Sequence, residues 1–210
     1  MTAVQLLARL RTLLDEDTAQ FWTDTECYSA LTDAQIEIIK RIYNKWILSL
    51  EQNPNLDLPI AIRSLFTTTT QTAQTGTSFS LPSTLLQLLS IKVDSLNSGT
   101  YLPAFKRPQN QSKYYILDNP YLKSSKSDIF YDIQMPNIVF ESVLTNGNIT
   151  YDFLQKPNDI DGLANPEVDP TIDSIAHEAI IYFAWFILLA KAKLPVADAL
   201  ASFEKIMETL

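Results

Sequence analysis

The chain has 210 residues, a net charge of −8, 46% hydrophobic residues and 19% charged residues, enough to supply the core of one generous domain or of a domain carrying an insertion. The charged fraction lies below the usual quarter, so the surface must rely on Thr, Ser, Asn and Gln, and the dispersed negative charge argues against nucleic acid as a general partner while leaving room for a local basic patch. A single cysteine, Cys27, excludes an internal disulfide or a cysteine-based metal cluster, and only four glycines argue against phosphate-cradling loops.

Leu6, Leu7, Leu10, Leu13 and Leu14 recur at helical spacing and predict a first helix over residues 4–14. Basic residues lie within this pattern and acids follow it at once, which is unlike a signal peptide. Asp15-Glu16-Asp17 is unfavourable inside a helix carboxyl end and is expected at or past it. Thr23 and Glu26 have capping-box spacing, with Trp22 placed as a hydrophobic staple. They open a long helix over residues 24–50. Cys27, Leu31, Ala34, Ile38 and Ile42, flanked by Tyr28, Gln35, Ile39, Trp46 and Leu50, give it a broad apolar face. At about 40 Å it outruns what a small domain covers, so Ile36, Tyr43 and Ile47 are expected at subunit contacts. Asn53-Pro54-Asn55 stops it, and residues 58–66 predict a short helical piece.

Residues 67–78, TTTTQTAQTGTS, are polar and low in complexity, and are expected to form a loop or extended arm that orders on assembly. From Phe79 the period changes to two. A Leu-rich turn or helix is expected at residues 84–88, followed by a half-buried strand on Leu89, Ile91 and Val93. Asn97-Ser98-Gly99 turns the chain toward residues 101–105. Residues 113–117 and the alternation of Ile129, Tyr131 and Ile133 are further strand candidates. Asn146-Gly147 carries a hairpin signal between residues 137–144 and 149–154. The region from 79 to 155 is therefore expected to be an antiparallel sheet of about four to six strands.

Residues 156–169 form a Pro/Asn/Asp-rich connector, and Asp169-Pro170 is placed as N-cap and first turn of the next helix. That helix, residues 172–193, is apolar from Ala179 to Ala190. This central run rises only about 18 Å, against the roughly 20 apolar residues of a membrane span, and so reads as a core helix. If one of its faces is left bare, a neighbouring copy is expected to cover it. Leu194-Pro195 ends it, and residues 196–210 form an amphipathic helix on Val196, Ala199, Leu200, Phe203, Ile206, Met207 and Leu210. The fold class is α+β. Helices at 1–66 and 157–210 make one bundle, and 67–156 is an inserted polar arm and antiparallel β region.

The nearest approach to a catalytic pair is His177-Glu178. Without a second histidine four residues on it is no zinc-protease signature, and His177 is expected to be a structural, hydrogen-bonded residue at a helix start. Asp159, Asp161, Glu167 and Asp169 lack the order of an EF-hand loop and read as solvated, with a cation clip as the alternative. Cys27 is expected as a buried thiol. Lys92, Lys106, Arg107, Lys113, Lys123 and Lys126 make a basic middle that reads as solvated, with contact to an acidic neighbour and, last, contact to nucleic acid as alternatives. No catalytic, cofactor-binding or metal-ligating residue is assigned, and no enzyme activity or cofactor is expected.

Several residue groups recur in a recognisable order. Trp22-Thr23-Asp24 and Glu26 lead a long helix with Ala34-Gln35. Leu81-Pro82 precedes a strand ending in Val93, and Thr150-Tyr151-Asp152-Phe153-Leu154 precedes a proline-bearing connector. Asp169-Pro170, His177-Glu178-Ala179-Ile180 and Tyr182-Phe183-Ala184-Trp185 close the series. This order resembles the head-to-tail connector (adaptor, ring or head-completion) proteins of tailed bacteriophages, over nearly the full chain. The resemblance implies a helical bundle with a β insertion and no catalysis. It implies a homo-oligomeric ring of about twelve copies, with the portal protein above and the tail or a second ring protein below. Genomic DNA would pass through the lumen without sequence-specific binding, and no membrane is involved. The location implied is the virion neck, after synthesis in the bacterial host cytoplasm. The Thr-rich stretch and the extended middle depart from the family pattern. The isolated chain is expected to be monomeric or weakly associated, because the Thr-rich and terminal segments would not order alone. Other readings are a tail, baseplate or peripheral capsid subunit, and a small hydrolase using His177-Glu178.

Overall fold

The computed structural model describes residues 1–16, 21–95, 97–107 and 129–210. The chain divides into a helical unit, Met1–Leu65 with Lys156–Leu210, and a sheet unit, Phe66–Gln155. The expected strand at 113–117, along with Asp17, Lys113, Lys123 and Lys126, lies outside the described residues.

In the helical unit α1 spans Ala3–Leu13 and α2 spans Asp24–Gln52. Both open on capping boxes, Thr2 with Gln5 and Thr23 with Glu26, which satisfy amide donors that helix starts leave free. The Leu pattern of α1 buries Leu6 and Leu10 fully. On α2 the buried set is Cys27, Tyr28, Ala30, Leu31, Ala34, Gln35, Ile38, Ile39 and Ile42, after which burial stops. A short α3 covers Ile60–Arg63.

The apolar helix, α4, spans His177–Lys191 after a 3-10 turn at Ser174–Ala176. Asp173 caps this start by accepting from the Ile175 amide, so the expected cap at Asp169-Pro170 lies four residues too early. Between them the chain bends at Thr171 and Ile172, and the Asp173 amide donates to the Ala61 carbonyl at 3.1 Å. Ser174–Lys191 is long and apolar enough to cross a membrane by length and composition alone. In the fold it packs against α1, α2 and α5 (Ala197–Met207) as the centre of the unit. Its end is a Schellman turn: Leu194 donates to Leu189 at 3.0 Å and Lys193, at φ 58°, takes the left-handed position. Arg41 of α2 joins three helices. Its guanidinium lies 5.3 Å from the Phe183 ring and 5.0 Å from the Phe203 ring. It also bonds Glu37 at 3.1 Å and Glu204 at 2.8 Å.

The connector from Lys156 onward lies along α2. Buried Gln35 donates to the Asn158 carbonyl and accepts from the Thr171 amide, both at 3.0 Å. Thr32 accepts from the Ile160 amide at 2.9 Å. At Gly162 a β-carbon would stand 2.1 Å from the Tyr28 hydroxyl and 2.5 Å from its ring carbon. Tyr28 is itself buried and has little room to yield. Gly162→Ala is accordingly expected to destabilise the chain by about 1–3 kcal/mol, read from the urea midpoint. Gly99→Ala, with open space at the β-carbon but φ 81°, isolates backbone strain for comparison.

The sheet unit contains β1 (Phe66–Ser80), β2 (Leu85–Asp94), β3 (Leu102–Lys106), β4 (Ile129–Gln134) and β5 (Asn137–Gln155). The strand order is β1-β5-β2-β3-β4, with β4 also pairing to β5. The first part of β5 takes β4 and its second part takes β2, while β1 runs antiparallel along the whole of β5. All pairs are antiparallel except β3–β4, which is parallel. The enclosed core is Phe79, Ile91, Val93, Ile129, Tyr131, Ile138, Phe140, Leu144, Ile149, Tyr151 and Phe153.

Three expectations fail here for identifiable reasons. The Thr-rich stretch is not a loop or free arm. It is β1, because β-branched threonine suits a strand, and apolar β5 supplies the burial that β1 lacks. Only Phe79 of β1 is buried. The ground for expecting disorder in the isolated chain goes with it. The Leu-rich segment at 84–88 is strand from Leu85, with a register shift between Leu88 and Ser90 that brings Leu88 rather than Leu89 against the core. Asn146-Gly147 makes no hairpin, and β5 continues through it. A type I′ turn needs positive φ at both central residues. Asn146 has φ 55°, but Gly147 is not left-handed. The result is a bulged stretch in which β1 also shifts register between Gln71 and Ser78. The glycine instead eases a close approach, since a β-carbon at 147 would meet the Asp94 carbonyl at 3.0 Å.

Candidate functional site

His177 and Glu178 are adjacent in sequence but diverge in space. The His177 imidazole is buried, 3% exposed. Its Nε2 donates to the Ile172 carbonyl at 3.2 Å, which leaves Nδ1 to accept from the Met1 amino nitrogen at 2.9 Å. Burial, reinforced by that amino group, holds its pKa below the ordinary value and keeps the ring neutral. Glu178 turns outward to Arg9 of α1 at 3.7 Å. His177 therefore fastens the start of α4, and the pair shares no cleft.

The four connector acids are engaged separately. Asp159 approaches Lys156 at 3.5 Å, and Asp169 approaches the Met1 amino group at 3.9 Å. Asp161 accepts from the Leu163 and Ala164 amides, while Glu167 is exposed. Among the described residues no three His, Cys, Asp or Glu side chains gather as metal ligands. Cys27 is fully buried at the foot of α2, and burial pushes its thiol up to about 11.

Of the basic middle, Lys92, Lys106 and Arg107 are among the described residues. Lys92 bonds Asp152 at 2.8 Å inside the sheet unit. Arg107 pairs with Glu141 and lies 4.7 Å from the Phe130 ring. Lys106 is exposed. Two buried polar centres carry weight that residue types alone did not reveal. Arg11 bonds Glu16 at 3.2 Å, the Trp22 carbonyl at 3.1 Å and Asp24. Asp152 accepts from Thr68, Ser90 and Lys92, one partner on β1 and two on β2.

The helical unit also presents uncovered apolar surface. Past Ile42, α2 exposes Ile47 and Leu48, the latter at 63%. Trp46 donates to the Leu56 carbonyl at 3.3 Å and so brings exposed Leu56 beside them. Ile36 and Tyr43, expected in the same role as Ile47, are half-buried. On α4, Tyr182, Trp185, Phe186 and Leu189 follow helical spacing and remain half-buried.

These features belong to a class: a structural subunit that ties its elements together with buried polar groups and leaves apolar helix surface exposed. The family model for the SU10 adaptor protein matches residues 1–210. The chain belongs to that family, and so is a non-catalytic structural connector of phage virions that works as an oligomeric ring. No curated protein matches the sequence.

Proposed function

We propose that the chain forms a ring of about twelve copies at the virion neck, seated below the portal protein and above the tail or a second ring protein. The family match over the whole chain carries this reading. In it, the helices of 1–66 and 157–210 form the ring body, and 67–156 is an insertion directed to a neighbouring virion protein. No residue acts as catalyst, metal ligand or cofactor ligand. The uncovered end of α2, Ile47, Leu48 and Leu56, with the α4 stripe, serves subunit and portal contacts, since burying such surface is the main source of association energy. The net charge of −8 suits a lumen through which DNA slides without being held.

Electron microscopy of purified necks tests this through rotational averages of the ring. Twelvefold symmetry with the chain between portal and tail is the expected result, and a different order or a position away from the neck overturns it. Leu48→Asp should leave the melting temperature within a few degrees and weaken ring formation by about tenfold or more, read by sedimentation.

A further inference from the structure

A cyclic ring with more than two copies requires a heterologous contact, in which one surface of a copy meets a different surface of the next. The sheet unit offers two such surfaces. β1 pairs with β5 on one edge, and its other edge has no strand partner among the described residues. β2 pairs with β5 along Leu85–Asp94, while β3 takes its opposite edge only at Lys92 and Val93. The opposite edge of 85–91 is therefore also without a strand among the described residues. Since β1 and β2 flank β5 on opposite sides, these free edges face away from each other.

Charge distinguishes both edges from the rest of the chain. No charged residue occurs between Arg63 and Lys92, in a protein with 16 basic and 24 acidic residues. That run contains all of β1 and the free stretch of β2. Monomeric proteins block sheet edges with lysine, proline and bulges. Proline occurs in neither free edge, and the bulges of β1 are confined to its distal part, while β2 shifts register against β5 between Leu85 and Gln87 and between Leu88 and Ser90. Phe66–Gln71 runs in unbroken register with β5. Charge depletion is also what marks the centre of protein interfaces.

We infer that the sheet unit joins neighbouring copies by strand addition, the free edge of β1 in one copy pairing with the 85–91 edge of β2 in the next. Both strands are antiparallel to β5 and hence parallel to each other. A neighbour turned by about 30° in a ring of about twelve presents its β1 roughly parallel to β2, so the new pairing is parallel. Backbone hydrogen bonds supply the contact, as in other strand-addition complexes. The repeat β1-β5-β2 then continues from copy to copy.

This rests on the ring reading, and the test separates the two. Thr69→Cys and Gln87→Cys place thiols on exposed positions of the two edges, while buried Cys27 stays silent. The full-length double variant at about 1 mM is sedimented and treated with a short bismaleimide. Expected are ring-sized particles, a ladder of cross-linked chains, and no ladder from either single variant. Rings without a ladder overturn the edge contact and leave the ring standing. Cross-linked dimers from Thr69→Cys alone indicate β1 meeting β1, which also overturns it. A chain that stays monomeric at this concentration without a ladder overturns the edge contact, and the ring is then judged on the purified necks alone. Independently, Thr67→Lys with Thr69→Lys should keep the melting temperature and abolish the ladder in the double-cysteine background. A ladder that persists contradicts the proposal.

Discussion

Arg11→Ala is expected to lower the free energy of unfolding by about 3–5 kcal/mol, the range for removing one partner of a buried ion pair. The arginine is 7% exposed, and its guanidinium serves Glu16, the Trp22 carbonyl and Asp24 together. It thereby ties the carboxyl end of α1 to the start of α2. Alanine leaves Glu16, itself only 11% exposed, without its cation. Arg11→Lys keeps the charge but loses the planar fork that reaches three acceptors, so its cost should be intermediate. Urea unfolding followed by circular dichroism measures both. A loss below about 1 kcal/mol for alanine would match an exposed pair and contradict the buried-tie account.

Asp152→Ala is expected to cost about 2–4 kcal/mol, from the lost hydrogen bonds of Thr68, Ser90 and Lys92. Its pH dependence is the sharper test. Burial alone would raise the Asp152 pKa, but the hydrogen bonds from Lys92, Ser90 and Thr68 and the Lys92 charge outweigh it, and the folded value lies below the ordinary one. A depressed folded pKa gives stability that is complete above the unfolded pKa of about 3.9 and is lost as pH falls through the folded value. The difference in unfolding free energy between wild type and Asp152→Asn should be constant at neutral pH and narrow below about pH 4. A difference that instead grows as pH falls would reverse the sign and rule out the carboxylate as the favoured state.

Local features were read from sequence where the cause was local. Thr23 and Glu26 specify a capping box within one helical turn, and it forms. Ile149, Tyr151 and Phe153 alternate, and all three are buried together. The failures share a different cause. Asn146-Gly147 fits a turn by its residues, yet β1 pairs with β5 before and after it, with β4 pairing ahead of it and β2 beyond it, and these hold the strand through. Asp169-Pro170 suits a helix start, but Asp173 is tied to the Ala61 carbonyl and caps the turn itself, so the helix begins four residues later. In the candidate site, the burial of Cys27 and the structural role of His177 were legible. Gln35 as a two-ended tie to the connector was not, because its partners are backbone groups over a hundred residues away.

The sequence by itself determined the helical ends and the α+β class, because periodicity, capping residues and proline stops act within a few residues. Together with the order of its motifs, it also pointed to the connector family. Tertiary structure alone decided the state of the Thr-rich stretch, the path of β5 and the surface left bare at the end of α2. Those depend on which distant segment supplies a hydrogen-bonding edge or an apolar cover. Thr67 to Ser78 can pair only because β5, far along the chain, carries the buried face that a polar strand cannot provide for itself.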